Sequence, residues 1–171
     1  GRLEPQKNQK LLIDAFSIVV KKHSEYKLQI YGSGKLLEEL KEQAKINKIE
    51  NKVEFMGQVD DVENKIYKSG IFVLSSDYEG MPNALMEAMA LGLPSISTDC
   101  PCGGSKMLIN NEENGILVKT GDKKDMAKAI NRLIENKELC KKLSNNSYKI
   151  KDEYSIENIQ EKWLSFIERI K

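Results

Sequence analysis

Histidine and cysteine are scarce in this chain of 171 residues, with one and three copies. A lone histidine, His23, and cysteines at positions 100, 102 and 140 leave no recognisable zinc set. Cys100 and Cys102 lie two apart, where a bridge would be strained, and Cys140 is remote, so no disulfide framework is expected. The three read as reduced, buried or half-buried residues of a cytosolic protein. Charge of one sign is missing too. Lys and Arg number 27 against 26 Asp and Glu, which gives no global attraction to nucleic acid or to an anionic membrane. Long apolar runs are absent. The longest, Ala84 to Pro94, is interrupted by Glu87 and falls short of the about 20 residues a bilayer requires. The chain opens Gly1-Arg2-Leu3-Glu4-Pro5 without an apolar h-region, so no signal peptide is expected. There is no internal repeat and no low-complexity linker.

What is present is an ordinary globular composition, 40% hydrophobic, of a length that suits one domain with a real core. Leu11, Leu12, Ala15, Phe16, Val19 and Val20 recur at helical spacing and predict a helix over about Gln9 to His23. Lys27–Tyr31 alternates as a strand. It ends in Gly32-Ser33-Gly34, and a charged helix is expected from Lys35 to about Asn47. Val53–Met56 is a second short strand closed by Gly57. Asp60 is placed to cap a helix through Lys68. Ile71–Leu74 is unbroken and apolar, as in a strand buried on both faces. Ser75–Met81 reads as a loop. Pro82 starts a helix to Leu91, which Gly92 and Pro94 end. Ser95–Thr98 and Ile116–Val118 are further strands. From Asp122 three amphipathic helical segments run to Lys171.

Strands alternating with helices predict an α/β fold, a Rossmann-like parallel sheet flanked by helices on both faces, with a helical C-terminus. Such sheets bind ligands at the carboxyl ends of their strands. That directs attention to the loops Gly32–Lys35, Gly57–Asp61, Ser75–Asn83 and Asp99–Lys106.

The segment Ser75–Leu91 carries the most chemistry. Glu87 is the only charge on its predicted helix, and an ionised carboxylate in apolar surroundings needs a partner or a shifted pKa. Helical side chains lean toward the N-terminus, so Glu87 points to the strand-end crevice, where a ligand diol could donate to it. Glu79 lies eight residues earlier, just ahead of the helix. The helix N-terminus between them offers free N–H groups and a partial positive charge, a natural seat for phosphate. Gly80 permits close backbone approach, and Asn83 and Ala84 are the expected donors. From spacing alone the plainer alternative stands beside this one: Glu87 paired with a Lys or Arg in a packed helix, and Glu79 solvated.

The run Glu79-Gly80-Met81-Pro82-Asn83-Ala84-Leu85-Met86-Glu87-Ala88-Met89-Ala90-Leu91-Gly92-Leu93-Pro94 resembles the signature of the family 4 glycosyltransferases, including its E-x7-E motif. These are retaining enzymes built from two Rossmann-like halves, the GT-B fold. Thr98–Gly104 is similar to the segment that follows in members building bacterial surface polysaccharides. Gly1-Arg2-Leu3 and Lys7 resemble the start of the donor-binding half. The resemblance covers essentially the whole chain. It implies that Glu79 contacts the transferred sugar, Glu87 the ribose, and backbone groups of Gly80, Met81, Asn83 and Ala84 the sugar and diphosphate. Gly34 would line the donor crevice and Val59 would touch the base.

Arg2 and Lys7 match family cations that contact the diphosphate. Fixed cations aimed at a leaving group lower the barrier as its charge develops. Asp60-Asp61-Val62 is not an Asp-x-Asp metal pair, so no metal and no cofactor are expected. Without the resemblance the two would read as solvated surface charges. Ser105-Lys106-Met107 departs from relatives that carry Pro and Glu after the glycine, which removes a Glu contact there. His23 reads as a cap or surface residue, and the Lys-rich stretch 123–142 as a solvated face. Trp163, Leu164, Phe166 and Ile167 form an apolar stripe. Such a stripe is usually core, but the resemblance implies a region that crosses back toward the other half.

The resemblance thus implies transfer of a hexose or N-acetylhexosamine from a nucleotide-diphosphate sugar, taken as UDP-linked, with retention. The acceptor would be a saccharide or lipid-linked intermediate of bacterial surface polysaccharide or glycoconjugate synthesis. Residues 1–171 would be the donor-binding domain, partnered by an N-terminal acceptor-binding half absent from this chain. Location would be cytoplasmic, at the inner membrane face through that half. Two alternatives remain from the residues: a non-catalytic nucleotide-binding module and a GT-B-like sugar-nucleotide epimerase.

Overall fold

Hydrophobic period switches between two and 3.6 along the chain, and the elements follow it. The protein's structure, a computed structural model, describes residues 1–170. A 3-10 turn at Pro5–Lys7 leads into α1 (Gln9–Val19), β1 (Leu28–Tyr31), α2 (Leu37–Ile46), β2 (Val53–Gly57), α3 (Val62–Ile66) and β3 (Phe72–Leu74). There follow α4 (Asn83–Ala90), β4 (Ser95–Asp99), α5 (Gly104–Leu108) and β5 (Ile116–Lys119). The chain finishes with α6 (Lys123–Glu135), α7 (Lys137–Ser147), α8 (Ile150–Glu153) and α9 (Ile156–Ile170).

All strand pairs are parallel, and the alternation along them assigns each face a cover. In β5, Ile116 and Val118 enter the larger core with Ile96 and the buried faces of α1 and α6, among them Ile13, Phe16, Met126 and Ile130. Leu117, between them, packs on the other side with Leu74, Leu85, Met89 and Ile150. Helices therefore cover both faces of β3–β4–β5, the α/β arrangement expected. Each fully buried Leu, Ile or Phe contributes about 1.5–3 kcal/mol, so the α1–α6 contact is a main source of stability.

The parallel, helix-flanked arrangement is as expected, and its strands hydrogen-bond in two sets, β1–β2 and β3–β4–β5. β1 and β3 are not hydrogen-bonded neighbours, and a cavity lies between them. The same feature leaves Phe72 and Val73 half-buried, where burial on both faces was predicted.

Several boundaries move for local reasons. α1 stops at Val19, where Lys22 and His23 both donate to the Val19 carbonyl and tighten the last turn. Asp61, not Asp60, caps α3, accepting from the Asn64 N–H. Pro82 is the N-cap of α4 and not its first residue. The short helix α5, expected as loop, starts after Gly103, whose φ of 76° is left-handed and costs glycine nothing. The C-terminal region holds four helices among the described residues where three segments were expected, and Lys171 lies outside those residues. Asp122 caps the first of them, accepting from the N–H groups of Lys124 and Asp125. The apolar stripe of α9 is not core: Trp163, Leu164, Phe166 and Ile167 are all exposed. Cys100 is buried and Cys140 intermediate, whereas Cys102 is exposed, against expectation; all three are free thiols. Among the described residues no helix is long and apolar enough to cross a membrane.

One polar cluster ties three helices. Asp14 on α1 accepts from Gln43 at 2.6 Å and Asn47 at 2.8 Å, at the end of α2, and from Lys123 of α6 at 3.1 Å. Burial alone would raise its carboxyl, but the hydrogen bonds from Asn47, Gln43 and Lys123 outweigh it and hold the pKa below its ordinary value. Asp14→Ala leaves two amides without their acceptor and should cost about 1–3 kcal/mol at pH 7 in urea denaturation. The depressed pKa makes this contribution present above the unfolded carboxyl's value. It is lost as pH falls through the folded one. The gap between wild type and Asp14→Ala should therefore close below about pH 4.

Candidate functional site

The loop after β3 and the turn before α1 are tied together through residues far apart in sequence. Ser75 Oγ donates to the Lys7 carbonyl at 2.9 Å, and the Asp77 N–H to the Gln6 carbonyl at 2.9 Å. Gln6 Nε2 donates to the Tyr78 carbonyl at 3.0 Å, and Asn8 Nδ2 to Asp77 Oδ1 at 2.8 Å. The left-handed φ of 43° at Asn8 suits an asparagine and lets its side-chain oxygen accept from Leu11 N–H, capping α1.

At the centre of this junction Lys7 Nζ donates to Glu79 Oε1 at 2.5 Å. Glu79 is only 6% exposed, and Ser76 Oγ donates to the same oxygen at 2.6 Å. Thr98 of β4 holds the Ser76 carbonyl in turn. A buried carboxylate is tolerable only when paired and hydrogen-bonded, and Glu79 is both. The plainer reading of a solvated Glu79 is thereby overturned. Ser76 was not singled out from the sequence; its bond to Glu79 joins two side chains within the loop and caps no helix.

Glu87 behaves in the opposite way. It lies one turn inside α4, is exposed, and makes no salt bridge among the described residues. The alternative of a Glu87 paired with Lys or Arg in a packed helix fails. So does the demand for a partner, since water solvates the carboxylate. Glu87 lines a cavity of about 840 Å³ together with Asn83, Ala84, Arg2, Lys7 and Val59. The first intrahelical bonds of α4 come from the Leu85 and Met86 N–H groups to the Pro82 carbonyl, which leaves the N–H groups of Asn83 and Ala84 for a ligand. A carboxylate, two free N–H groups and two cations thus border one opening at the carboxyl ends of the strands. Arg2 is exposed, with Glu4 Oε2 3.4 Å from its guanidinium.

Other expected site residues stand apart. Gly34 is outside the cavity lining; a Cβ there would lie 2.5 Å from the Leu3 carbonyl oxygen, so close backbone packing accounts for this glycine. Its neighbours Gly32 and Ser33 do line the cavity. Gly80 and Met81, which are exposed, and the buried Glu79 are also outside the lining. Gly104 is the close-approach position here: its Cβ would meet the backbone of Gly80 and Glu79, the former oxygen at 1.9 Å. Lys106 pairs with Asp99 at 2.8 Å. His23 bonds Glu135 at 3.0 Å and joins the end of α1 to α6, a structural role. Gln58 borders the opening as well; the sequence marked its loop, Gly57–Asp61, but not this residue.

A family model described as "Glycosyl transferases group 1" matches residues 1–150. A Haemophilus influenzae protein named an uncharacterized glycosyltransferase is 36% identical over 163 residues, covering 95% of this chain and 46% of that protein. The poly(glycerol-phosphate) alpha-glucosyltransferase of Bacillus subtilis is 30% identical, with 95% of this chain and 24% of the relative covered. Among solved structures, S. aureus TarM in complex with Fondaparinux, alpha-GlcNAc-glycerol and UDP superposes with a TM-score of 0.89 at 29% identity, covering 96% of this chain and 34% of that one. The chain thus spans less than half the length of these proteins.

The Lys7–Glu79 pair generates a stability prediction. Lys7→Met leaves the buried Glu79 charge with only Ser76. Fully buried pairs lose about 3–5 kcal/mol when one partner goes, and the partial exposure of Lys7 lowers the expectation to the bottom of that range or below. Adding Glu79→Gln to Lys7→Met should restore much of the loss. Urea midpoints of the wild type, the two single variants and the double variant measure the coupling; additive losses would mean that the pair contributes nothing.

Proposed function

The chain belongs to the group 1 glycosyltransferases, and from that membership we propose that it is the donor-binding half of a retaining glycosyltransferase. The observation that carries this reading is the set of groups around one opening: exposed Glu87, the free N–H groups at the start of α4, and the cations Arg2 and Lys7. A nucleotide-diphosphate sugar carries the complementary groups. Its ribose diol donates to Glu87. Its diphosphate receives the N–H groups of Asn83 and Ala84. Lys7, with three N–H donors and one engaged by Glu79, keeps capacity for a phosphate oxygen, and Arg2 supplies the second cation. Val59 borders the base, and Glu79, buried behind the cavity wall with Oε1 engaged by Lys7 and Ser76, would accept from a hydroxyl of the transferred sugar through its other oxygen only once the sugar is seated. Gly80 and Met81, beyond the cavity wall, would join only once the sugar is seated.

UDP is the nucleotide we assign, because TarM, a 29% identical structural relative, holds UDP. The sugar is a hexose or N-acetylhexosamine, and the acceptor belongs to bacterial polysaccharide or glycoconjugate synthesis, in keeping with the poly(glycerol-phosphate) alpha-glucosyltransferase relative. That relative is named an alpha-glucosyltransferase, and for this chain we propose an alpha-linked donor and an alpha product, which is retention. A double displacement needs a carboxylate nucleophile on the face opposite the leaving group. Glu79 is buried and committed to Lys7 and Ser76, so we favour a same-face route in which the departing phosphate oxygen helps to deprotonate the acceptor. The acceptor would be bound by a second, N-terminal half, and the charge on the diphosphate met by Arg2 and Lys7 in place of a divalent metal.

Calorimetry tests donor binding: UDP should bind equally with and without EDTA, and Glu87→Ala should weaken it about tenfold to a hundredfold. Binding that vanishes with EDTA and returns with manganese would remove the metal-free model. In the two-half enzyme, Arg2→Ala should lower kcat by about a hundredfold, more than it raises KM, because its interaction strengthens in the transition state. A pure KM defect would reduce Arg2 to donor binding.

A further inference from the structure

α1 opens with a residue that breaks the pattern of its own face. Gln9, Leu12 and Phe16 fall at i, i+3 and i+7, on one side of the helix, and all three line the cavity. Leu12 and Phe16 are apolar. Gln9 is an amide, and it is only 8% exposed. Its Nε2 donates to the Arg2 carbonyl at 2.9 Å. A carbonyl can only accept, so this bond fixes which end of the amide faces Arg2. Oε1 is then left inside the protein, with no hydrogen-bond partner among the described residues. A buried acceptor without a donor opposes folding, and a methionine or leucine at position 9 would avoid that cost. Packing therefore does not account for the amide, whereas its bond to Arg2 does.

That bond acts on a single peptide plane. The Arg2 carbonyl accepts from Gln9, and the N–H of the same plane, that of Leu3, donates to the Ser33 carbonyl at 2.9 Å. A planar amide held at both of its polar groups has its orientation set. Leu3 itself is fully buried, its carbonyl accepts from the Leu36 N–H at 3.3 Å, and its backbone packs closely on Gly34. The Arg2 side chain has no comparable hold. It is 69% exposed, and Glu4 approaches it only to 3.4 Å, so the reach of the guanidinium is decided by its backbone. Gln9 also lies two residues beyond Lys7, whose Nζ is held by Glu79. Through Gln9 the backbone that carries Arg2 is tied to the start of α1, beside the turn that carries Lys7.

We propose that Gln9 is a positioning residue, which sets the separation of the two cations that meet the leaving diphosphate. The inference rests on the reading of Arg2 and Lys7 as diphosphate contacts. Preorganised charges lower a barrier because they need no rearrangement while the leaving group gains charge. An exposed arginine on a long flexible stem acquires that property from a fixed backbone. Without Gln9 the guanidinium keeps its charge and loses its placement, which weakens the transition state more than the bound ground state.

Gln9→Met removes the donor and the unpaired acceptor together at nearly constant length. In the two-half enzyme it should lower kcat by roughly tenfold while KM changes by less than about twofold. In an Arg2→Ala background it should lower kcat no further, because Gln9 acts through Arg2. The urea midpoint of the chain should hold or rise, since the unpaired acceptor is gone. Losses that multiply in the double variant, a wild-type kcat, or a defect confined to KM would each overturn the inference. So would a lowered urea midpoint, which would make the amide a stabilising element. Failure of the proposed role of Arg2 reads differently: Arg2→Ala would then leave kcat intact by itself, and this inference would fall with it.

Discussion

Lys7 and Glu79 are 72 residues apart and 2.5 Å apart, and the rest of the site is arranged around that contact. It is an ion pair with the carboxylate inside the protein and the ammonium near its surface. Removing a carboxylate from water is costly, so the pair forms only because Ser76 also donates to Glu79 and because Thr98 fixes the Ser76 carbonyl. The result is a rigid junction between the turn before α1 and the loop before α4. Arg2 and the free N–H groups of α4 are carried on the two sides of that junction. Their mutual distance is thus set by hydrogen bonds and an ion pair, without help from a shared helix or strand.

The same junction accounts for the division between the two glutamates. Glu79 is buried and spoken for; Glu87, one turn into α4, is exposed and unpaired by any Lys or Arg among the described residues. One organises the site and one remains open to a ligand. A symmetrical picture of two carboxylates flanking a helix N-terminus misses this, because Glu79 sits in the loop packed against Lys7 and Ser76 while Glu87 sits on the exposed side of α4.

The sequence made the element types legible, since period two and period 3.6 are local properties. Leu11 to Val19 and Ile116 to Val118 were both readable in this way. Choices that depend on backbone angles or distant partners were not. Asp60 and Asp61 are chemically equal as caps, and the structure gives the role to Asp61, whose side chain accepts from the Asn64 N–H. Gly34 and Gly104 are both glycines in loops, but each is required by a backbone from elsewhere in the chain, Leu3 in one case and Gly80 in the other. The division into two sheets was likewise invisible, because periodicity tells which residues form strands and not which strands become neighbours. For the site, the residue types at Arg2, Lys7, Asn83, Ala84 and Glu87 could be read, and the structure sets all five on one cavity. Ser76, which donates to Glu79, and Gln58, which accepts from Ser33, were not singled out within the loops that hold them.

The central claim is that this opening receives a nucleoside diphosphate. An amide-resolved NMR titration of the chain with UDP addresses it most directly. The account predicts that the largest shifts fall on Asn83, Ala84 and Glu87, with a second group at Gly32, Ser33 and Val59. Shifts centred instead on the surface depression lined by Lys22, Lys128 and Glu138, or no saturable shifts at all, would contradict it.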